Sequence, residues 1–222
     1  MRWKKRLVKR LAAPGTAILD VGCGTGEFLR EVGREYGAWG IEPEPEAARW
    51  ARERFGLNVQ TGDLSIVQFP TGSFDLVTMW HVLEHIPDPA QALTTISGML
   101  KDGGRLLVAL PNISALDARL YRAFWVAIDA PRHLWHFDRP QLARLAEKTG
   151  FTIVRTGMMP LDLFYNAVWS ERFIYRVRGW RQLLPAVLRL PLAVAASLVY
   201  GGVTGKHSGN YYVLEKKKTN TN

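Results

Sequence analysis

"AILDVGCGTGEFL", residues 17–29, predicts a buried strand that leads into three alternate glycines and then a helix. Such a turn leaves backbone N–H groups unpaired and lets the main chain approach a ligand closely. The nicotinamide fingerprint needs glycine at position 27, where this chain has Glu27, and a P-loop lysine is absent. We therefore predict a ligand-binding turn without a dedicated phosphate cradle.

Apolar runs and helical patterns alternate along most of the chain. After the first strand we expect a helix near 26–35, and helices over "PEAARWARERFG", "PAQALTTISGML" and "RPQLARLAEKT". The predicted strands are "AILDV", "AWGIE", "NVQTGD", "FDLVTMW", "GRLLVALPN", "FTIVRTG" and "NYYVLEKK". This βαβ succession predicts an α/β fold with a mostly parallel sheet.

Length and composition indicate one domain over residues 1–222, because 47% of the 222 residues are hydrophobic. The single cysteine excludes a disulfide framework, and we see no signal peptide, so we expect a cytoplasmic location. The net charge of +9 belongs to the flanks: residues 1–12, a predicted basic helix, hold six basic residues and no acid, and residues 158–222 hold nine basic against three acidic. Such flanks attract phospholipid or nucleic acid.

Two carboxylates follow predicted strands. Glu42 ends the second strand and can accept hydrogen bonds from both hydroxyls of a ribose, as in other doubly wound nucleoside sites. Asp63 ends the third strand and can receive an adenine amino group. Because the carboxyl ends of neighbouring parallel strands meet at one sheet edge, these residues and the glycine turn describe a nucleoside pocket.

Five motifs in order resemble class I S-adenosylmethionine-dependent methyltransferases, in the broad subgroup that includes ubiquinone-biosynthesis O-methyltransferases: "LDVGCGTG", "GIEPEPEAARWA", "GDL", "FDLVTMWHVLEHIPDP" and "LKDGGRLLVALPN". The resemblance covers residues 15–157 and 210–216. It implies a Rossmann-like seven-stranded sheet with helices on both faces, the last strand antiparallel, and S-adenosylmethionine as cofactor. The cofactor-binding candidates are Asp20, Gly22, Cys23, Gly24, Gly26, Glu42, Pro43, Asp63, Leu64, Trp80 and His81.

Some of these candidates also have structural interpretations. Gly26 could serve only helix packing, Asp20 could cap the turn, and "GD" at 62–63 is ordinary turn chemistry. We interpret Cys23 as a small loop residue rather than a nucleophile, because no base neighbours it in the sequence.

"HVLEH", residues 81–85, matches the H-x-x-E-H pattern of inverted zinc peptidases. Some ubiquinone-biosynthesis O-methyltransferases have E-x-x-E-H at this place and are linked to divalent metals, but here His81 replaces the first glutamate. We therefore assign no metal. We expect Trp80 and His81 to line the methionine end of the cofactor, and Glu84 and His85 to stabilise a short turn.

The loops after the fourth and fifth strands, residues 80–86 and 111–137, should lie beside the sulfonium methyl group. Within "IDAPRHLWHF" we predict His133 as the base, Arg132 as a ligand for an anionic part of the substrate, and His136 as a further catalytic candidate. The alternative is a packed connection in which Trp135 and His136 are core and Arg132 pairs with Asp129.

Residues 158–207 form an insert between the last two predicted strands. Arginines surround an apolar stripe typical of a basic helix lying in a membrane surface. The stripe is Trp169, Phe173, Val177, Trp180 and Leu184, and the arginines are Arg172, Arg176, Arg178 and Arg181. Residues 190–205 carry no charge, but Pro191 and two glycines shorten the usable length below the ~20 residues that span a bilayer, so we predict a buried or membrane-dipping segment. A lid or a homodimer interface is the alternative.

These observations predict methyl transfer to an oxygen of a small or lipid-linked acceptor, such as a quinone precursor, a lipid-linked sugar or a glycan intermediate, by a cytoplasmic, membrane-peripheral enzyme. An RNA methyltransferase is the second hypothesis, although the motifs of amino-methylating and cytosine C5 enzymes are absent. A catalytically silent cofactor-binding subunit is the third. We expect residues 112–137 and 158–207 to cover the active site.

Overall fold

A single seven-stranded sheet organises the chain. The computed structural model describes residues 1–217, apart from the side chains of residues 183 and 184. The strands are β1 (Ala17–Val21), β2 (Gly37–Glu42), β3 (Asn58–Thr61), β4 (Phe74–Trp80), β5 (Leu100–Pro111), β6 (Phe151–Met158) and β7 (Gly209–Lys216). Their spatial order is β3-β2-β1-β4-β5-β7-β6, and β7 is antiparallel to both neighbours. The predicted α/β fold, with its antiparallel last strand, is confirmed.

Eight helices join or flank the strands. They are α1 (Arg2–Lys9), α2 (Glu27–Val32), α3 (Pro45–Phe55), α4 (Pro89–Met99), α5 (Leu116–Tyr121), α6 (Arg139–Lys148), α7 (Asp162–Arg178) and α8 (Leu183–Thr204). The predicted helix near 26–35 is shorter than expected. Helices α3, α4 and α6 have Pro at N1 or N2 and a carboxylate cap that accepts a backbone N–H.

The two faces of the sheet carry separate cores because side chains alternate along each strand. Ile18 of β1 packs with Leu7 and Val8 of α1 and with Phe28 of α2. Its neighbour Leu19 belongs to the opposite core, with apolar residues of α4 and α6. Helices therefore cover both faces, as predicted.

The order in which strands are added to the sheet reverses beside β1, which pairs in parallel with β2 on one side and with β4 on the other. From β1 the chain adds β2 and β3 toward one edge of the sheet, and β4 and the later strands toward the other edge. A crevice therefore opens at the carboxyl ends of β1 and β4, where ligands bind in doubly wound folds. Three predicted cofactor-binding residues lie at this switch point: Asp20, Glu42 and Trp80.

The helical insert between the last two strands is also confirmed, as α7 and α8. The expectation that Pro191 and the glycines shorten the apolar segment is wrong, because α8 continues through Pro191 as one helix of 22 residues. The proline costs one backbone hydrogen bond but does not end the helix. Its stretch Pro185–Thr204, of mean hydropathy 1.7, is long and apolar enough by length and composition to cross a bilayer.

Trp135 and Gly26 each have a structural role that their contacts define. Trp135 is 43% exposed and donates from its indole Nε1 to the carbonyl of Ile86 at 3.0 Å, so it is not a core residue. Gly26 caps α2 in the left-handed region, and a Cβ there would lie 2.6 Å from Leu57 Cδ1 and 3.0 Å from Ala51 Cβ. Close packing of α2 on α3 therefore explains this glycine without a ligand.

The Gly26 contacts generate a stability prediction. Gly56 also has positive φ, but a Cβ there would meet nothing within 4 Å, so Gly56→Ala should cost only the left-handed strain of about 1 kcal/mol. Gly26→Ala should add about 1–3 kcal/mol of overpacking to a similar strain. Urea unfolding of both variants measures the difference, and equal destabilisation would contradict the packing role.

Candidate active site

The Glu42 carboxylate connects the end of β2 to the glycine turn. Glu42 is 8% exposed, and its Oε2 accepts the N–H of Gly24 at 2.7 Å while its Oε1 accepts the N–H of Glu44 at 3.0 Å. The N–H groups of Gly22 and Cys23 donate to the Ile41 carbonyl. The glycine turn is thereby held against β2, next to the position predicted for a ribose.

Asp20 is buried at the end of β1. The Thr78 hydroxyl of β4 donates to its Oδ1 at 2.6 Å. Burial raises the pKa of Asp20 to about 7, although the Thr78 hydrogen bond and the positive charge of Lys4 oppose that shift. This carboxylate therefore changes protonation near neutral pH, beside the turn.

Lys4 of α1 is a site residue that the sequence analysis missed, because it was counted only as part of a basic flank. Its Nζ lies 4.3 Å from the centroid of the Trp80 ring, which also makes edge contacts with Trp3 and Phe28. Burial lowers the pKa of Lys4, and the carboxylates of Asp20 and Asp162 oppose that effect. Helix α1 thus places the Lys4 amine and the Trp3 ring against Trp80 at the sheet edge.

The remaining cofactor candidates occupy the same edge in different environments. Cys23 is 8% exposed, and burial raises the pKa of its thiol, which suits a small loop residue rather than a nucleophile. Pro43 is exposed immediately after Glu42. Asp63 accepts the N–H and hydroxyl of Ser65 in a local turn, and Leu64 packs partly buried against the main core. Asp63 therefore has hydrogen-bond donors within its own turn, as the turn interpretation of residues 62–63 expects.

His81 follows β4 with φ of 59°, a region that costs a non-glycine residue about 1–3 kcal/mol and is often retained at functional sites. Its Nδ1 lies 3.4 Å from Glu84 Oε1 and its Nε2 lies 3.3 Å from Asp162 Oδ2. Burial lowers the pKa of His81, but the two carboxylates outweigh it and raise the pKa to about 9. His81 is therefore an imidazolium at neutral pH.

Glu84, His85 and His133 form a second cluster, whose donor atoms all lie within 4.8 Å of one another. The Glu84 carboxylate is buried, and its Oε1 is already paired with His81 Nδ1 at 3.4 Å. His85 Nδ1 lies 2.9 Å from the Arg132 carbonyl, and His133 Nδ1 lies 2.8 Å from the Ala127 carbonyl. A carbonyl only accepts, so each Nδ1 carries a proton and each neutral ring keeps its lone pair on Nε2.

This cluster fits a divalent cation, because one carboxylate and two imidazole nitrogens are ligands that Zn²⁺, Mn²⁺ and Fe²⁺ accept. A cavity of about 10 Å³, lined by Glu84, His133 and His136 among others, adjoins it. The zinc-peptidase alternative is wrong, since residues 83–85 form one 3₁₀ turn and His81 faces Asp162 while His85 contacts His133. The sequence motif gave no sign that His133 joins Glu84 and His85.

The other two catalytic candidates lie in the same loop. Arg132 has a side chain that is 75% exposed and pairs with Asp129 at 2.7 Å, as the packed-connection alternative expected. His136 Nε2 lies 2.9 Å from the Ile128 carbonyl, so this ring carries its proton on Nε2. Burial lowers the pKa of His133, and its Nε2 lies 3.8 Å from Asp129 Oδ2. His133 is thus the member of this loop best suited to accept a proton.

Asp162 is the second site residue that sequence reasoning missed. It lies in the first turn of α7, far from the motifs in sequence, and reaches the sheet edge because β6 and β7 end and begin there. A Cβ on Gly209 would overlap its carboxylate, so the glycine at the start of β7 makes room for it. No local pattern marks such a contact between distant segments.

The pKa of His81 gives a test of this ion pair. Asp162→Asn should lower the pKa of His81 below about 9, which NMR titration of the imidazole measures. A histidine whose folded pKa exceeds its unfolded value of ~6.5 contributes its full stability below that value and loses it as pH rises through the folded pKa. The stability difference between wild type and Asp162→Asn should therefore shrink between pH ~6 and ~10.

His81→Asn is the control background, in which Asp162→Asn should cause a pH-independent change. An unchanged His81 titration in Asp162→Asn would contradict the pairing.

Comparison with known proteins agrees with this geometry. The family profile described as "Methyltransferase domain" matches residues 1–156. The chain is 28% identical over 210 residues to the 2-methyl-6-phytyl-1,4-hydroquinone methyltransferase of a Synechocystis strain, covering 85% of this chain and 65% of that protein. It is 35% identical over 140 residues to the ubiquinone biosynthesis O-methyltransferase of Xanthomonas campestris pv. campestris, covering 58% and 57%.

The chain thus spans about half to two thirds of the length of the curated relatives it matches. Among solved structures, phosphoethanolamine N-methyltransferase 2 of Haemonchus contortus, in complex with S-adenosylmethionine, has the same fold. Its TM-score is 0.63 at 21% identity, over 97% of this chain and 53% of that one. Because the family profile covers most of the chain, the protein belongs to the methyltransferase-domain family, as a class I member whose cofactor is S-adenosylmethionine.

Proposed function

We propose that the chain transfers a methyl group to a hydroxyl oxygen of a small, lipid-linked acceptor of the quinol class. The observation that carries this proposal is His133, a neutral imidazole with its lone pair on Nε2 in the loop beside the carboxyl edge. The names of two relatives support the acceptor class, since one acts on a phytyl hydroquinone and the other in ubiquinone biosynthesis as an O-methyltransferase.

Proton removal is the part of the reaction that this chain's residues explain. S-adenosylmethionine supplies an electrophilic methyl group, which the acceptor oxygen takes in line as the carbon–sulfur bond breaks. His133 Nε2 accepts the hydroxyl proton, and Asp129, 3.8 Å away, stabilises the resulting imidazolium. The Nδ1–H bond to the Ala127 carbonyl fixes the ring orientation throughout.

The carboxylates at the strand ends complement a cationic cofactor. Glu42 holds the glycine turn open beside a ribose, and Asp20 adds negative charge when deprotonated. Trp80 supplies an aromatic face on which Lys4 already rests, and such faces attract cations. We propose that these residues, with Gly22, Gly24 and His81, form the cofactor site.

A second mechanism for the same methyl transfer would use a divalent cation bound by Glu84, His85 and His133. Such an ion would lower the pKa of a bound acceptor hydroxyl, as metal ions do for water. His133 Nε2 would then be a ligand instead of a base. The ligand atoms of Glu84, His85 and His133, which lie within 4.8 Å of one another, favour this version enough to test it.

The proposed hydrogen bond of Glu42 to the ribose predicts that a substitution at Glu42 changes the affinity for S-adenosylmethionine. Glu42→Gln should weaken S-adenosylmethionine binding by about tenfold or more in calorimetry, because a charge-assisted hydrogen bond to the turn and its partner on the ribose are both lost. Glu46→Gln is the matched control, since Glu46 is four residues away and its side chain pairs with Arg49 at the surface. Equal affinities of Glu42→Gln and wild type would contradict the assignment.

The proposed role of His133 as the base predicts how kcat responds to a substitution at His133 and to pH. His133→Asn should lower kcat by about 10²–10⁴-fold without changing cofactor affinity. Wild-type activity should rise with pH through a pKa below the ordinary histidine value, because burial favours the neutral ring. Quinol acceptors with labelled S-adenosylmethionine give the measurement, and unchanged kcat in His133→Asn would contradict the proposal.

Metal dependence separates the two versions. If His133 is the base, chelator treatment leaves kcat unchanged and His85→Asn stays active. If a cation is held, chelation abolishes turnover, added Zn²⁺ or Mn²⁺ restores it, and His85→Asn fails as His133→Asn does. Cofactor binding without transfer to any quinol or RNA would instead support the catalytically silent alternative.

A further inference from the structure

We propose that the exposed face of the insert docks onto the surface of a bilayer that contains anionic lipid. This insert face comprises Trp169 and Phe173 of α7, Trp180 of the connection, and Leu192, Val199 and Val203 of α8, which are 40–82% exposed. Leu184, the last member of the predicted stripe, lies outside the described side chains. The inference concerns a binding surface and stands independently of the acceptor proposed above.

Helix α7 has apolar side chains on both of its sides. A helix on a water-soluble protein turns its apolar stripe inward and its polar residues outward. Here the buried side of α7 mixes apolar residues with polar ones, while Trp169 and Phe173 are exposed on the outer side. The buried residues are Leu163, Asn166, Ala167, Ser170, Glu171 and Ile174. This distribution suits a helix whose outer face meets an apolar medium.

Polar and apolar contacts together hold the buried side of α7. The Glu171 carboxylate accepts hydrogen bonds from the Arg189 guanidinium of α8 and the Tyr121 hydroxyl of α5. Asn166 donates to the Ser208 hydroxyl at 2.8 Å. Ala167 and Ile174 pack in an apolar cluster around Trp125. These contacts fix the insert to the methyltransferase body and leave its large aromatic side chains Trp169, Phe173 and Trp180 exposed.

Helix α8 repeats this arrangement with a narrow inner stripe. Its buried residues are small, namely Ala193, Ser197 and Gly201, at intervals of four. Only 17% of the apolar window Pro185–Thr204 is buried. Contiguous exposed apolar surface of this extent marks a protein or membrane interaction site.

The charge of the insert selects an anionic partner. Residues 160–207 contain six basic and two acidic residues. Both acids are engaged, Asp162 by His81 and Glu171 by Arg189, so the exposed charge is positive. The exposed basic side chains beside the insert face are Arg172, Arg176, Arg178 and Arg181.

An anionic bilayer satisfies both features of the insert face better than a second copy does. In a two-fold dimer the same patch faces itself, which would bring the arginines of both copies together. A bilayer offers acyl chains to the apolar side chains and phosphate groups to the guanidinium groups. Arg172, 4.9 Å from the Trp169 ring, shows the required pairing of charge and aromatic surface.

The geometry favours a helix pair lying in the interface plane rather than a spanning helix. Helix α8 is attached to α7 through Arg189 near its start and to α5 through Tyr200 near its end, whose ring lies 5.7 Å from the Arg119 guanidinium. A spanning α8 would require its inner stripe and the Glu171–Arg189 pair to leave the body of the protein. Because Asp162, in the first turn of α7, contacts His81, docking would bring the active site near the membrane.

Vesicle flotation tests the proposal with the full chain. Wild type should float with phosphatidylcholine vesicles that contain about 30% phosphatidylglycerol, and binding should fall about tenfold or more without the anionic lipid. Raising NaCl from about 0.05 to 0.5 M should weaken binding similarly, because exposed charges are screened.

Two variants, each with a matched control, assign the binding surface. Trp180→Gln/Leu192→Gln/Val199→Gln should abolish flotation, whereas Trp50→Gln/Ile66→Gln/Val154→Gln, with similar exposure elsewhere, should not. Glutamine at Arg172, Arg176, Arg178 and Arg181 should lower binding about tenfold or more at low salt. Glutamine at Arg34, Arg49, Arg54 and Arg144, which are exposed on the body, should not.

Three outcomes would overturn the proposal. Wild type could remain at the bottom of the gradient with anionic vesicles, or the control variants could lose as much binding as the insert variants. Alternatively, wild type could form a dimer without vesicle binding, and the apolar variant could convert it to a monomer, which would assign the insert face to a second copy. His133→Asn should float like wild type, so failure of catalysis and failure of docking are distinguishable.

Discussion

The two hydrogen bonds that the Glu42 carboxylate accepts from backbone N–H groups fix the geometry of the candidate site. The carboxylate accepts one N–H from Gly24 in the glycine turn and one from Glu44, the N-cap of α3. The ends of β1 and β2 and the start of α3 are therefore held in fixed geometry. A buried carboxylate is costly unless it is hydrogen-bonded. The two backbone donors meet that cost here, and the turn can present its remaining N–H groups to a cofactor.

A second set of charges connects this cofactor edge to the insert. Lys4, Asp20, His81 and Asp162 come from four different segments and alternate in sign at the sheet edge. The strained His81 backbone is tolerated because its ring lies between two carboxylates. Through Asp162 the active site and the proposed membrane-facing helices share a structural element, so the position of α7 and the protonation of His81 depend on each other.

Local sequence predicts the parts of this structure that local physics determines. Alternating side chains identify the strands, glycine spacing identifies the turn, and Pro with Asp or Glu identifies the starts of α3, α4 and α6. The proximity of His81 to Asp162, of Lys4 to Asp20 and of Glu84 to His133 could not be predicted, because only the sheet topology brings these side chains together. The continuity of α8 has another cause: Pro191 and two glycines predict a shortened apolar segment, but packing against α5 and α7 supports one unbroken helix.

Transfer of labelled methyl from S-adenosylmethionine into membrane extract tests whether the chain methylates a lipid-linked hydroxyl with His133 as the base. The extract would be incubated with wild type or with His133→Asn, and the product partitioned between organic and aqueous phases. Wild type should give label in the organic phase, and the variant about 10²-fold less. Label in RNA, or cofactor binding with no transferred label in either phase, would contradict this proposal.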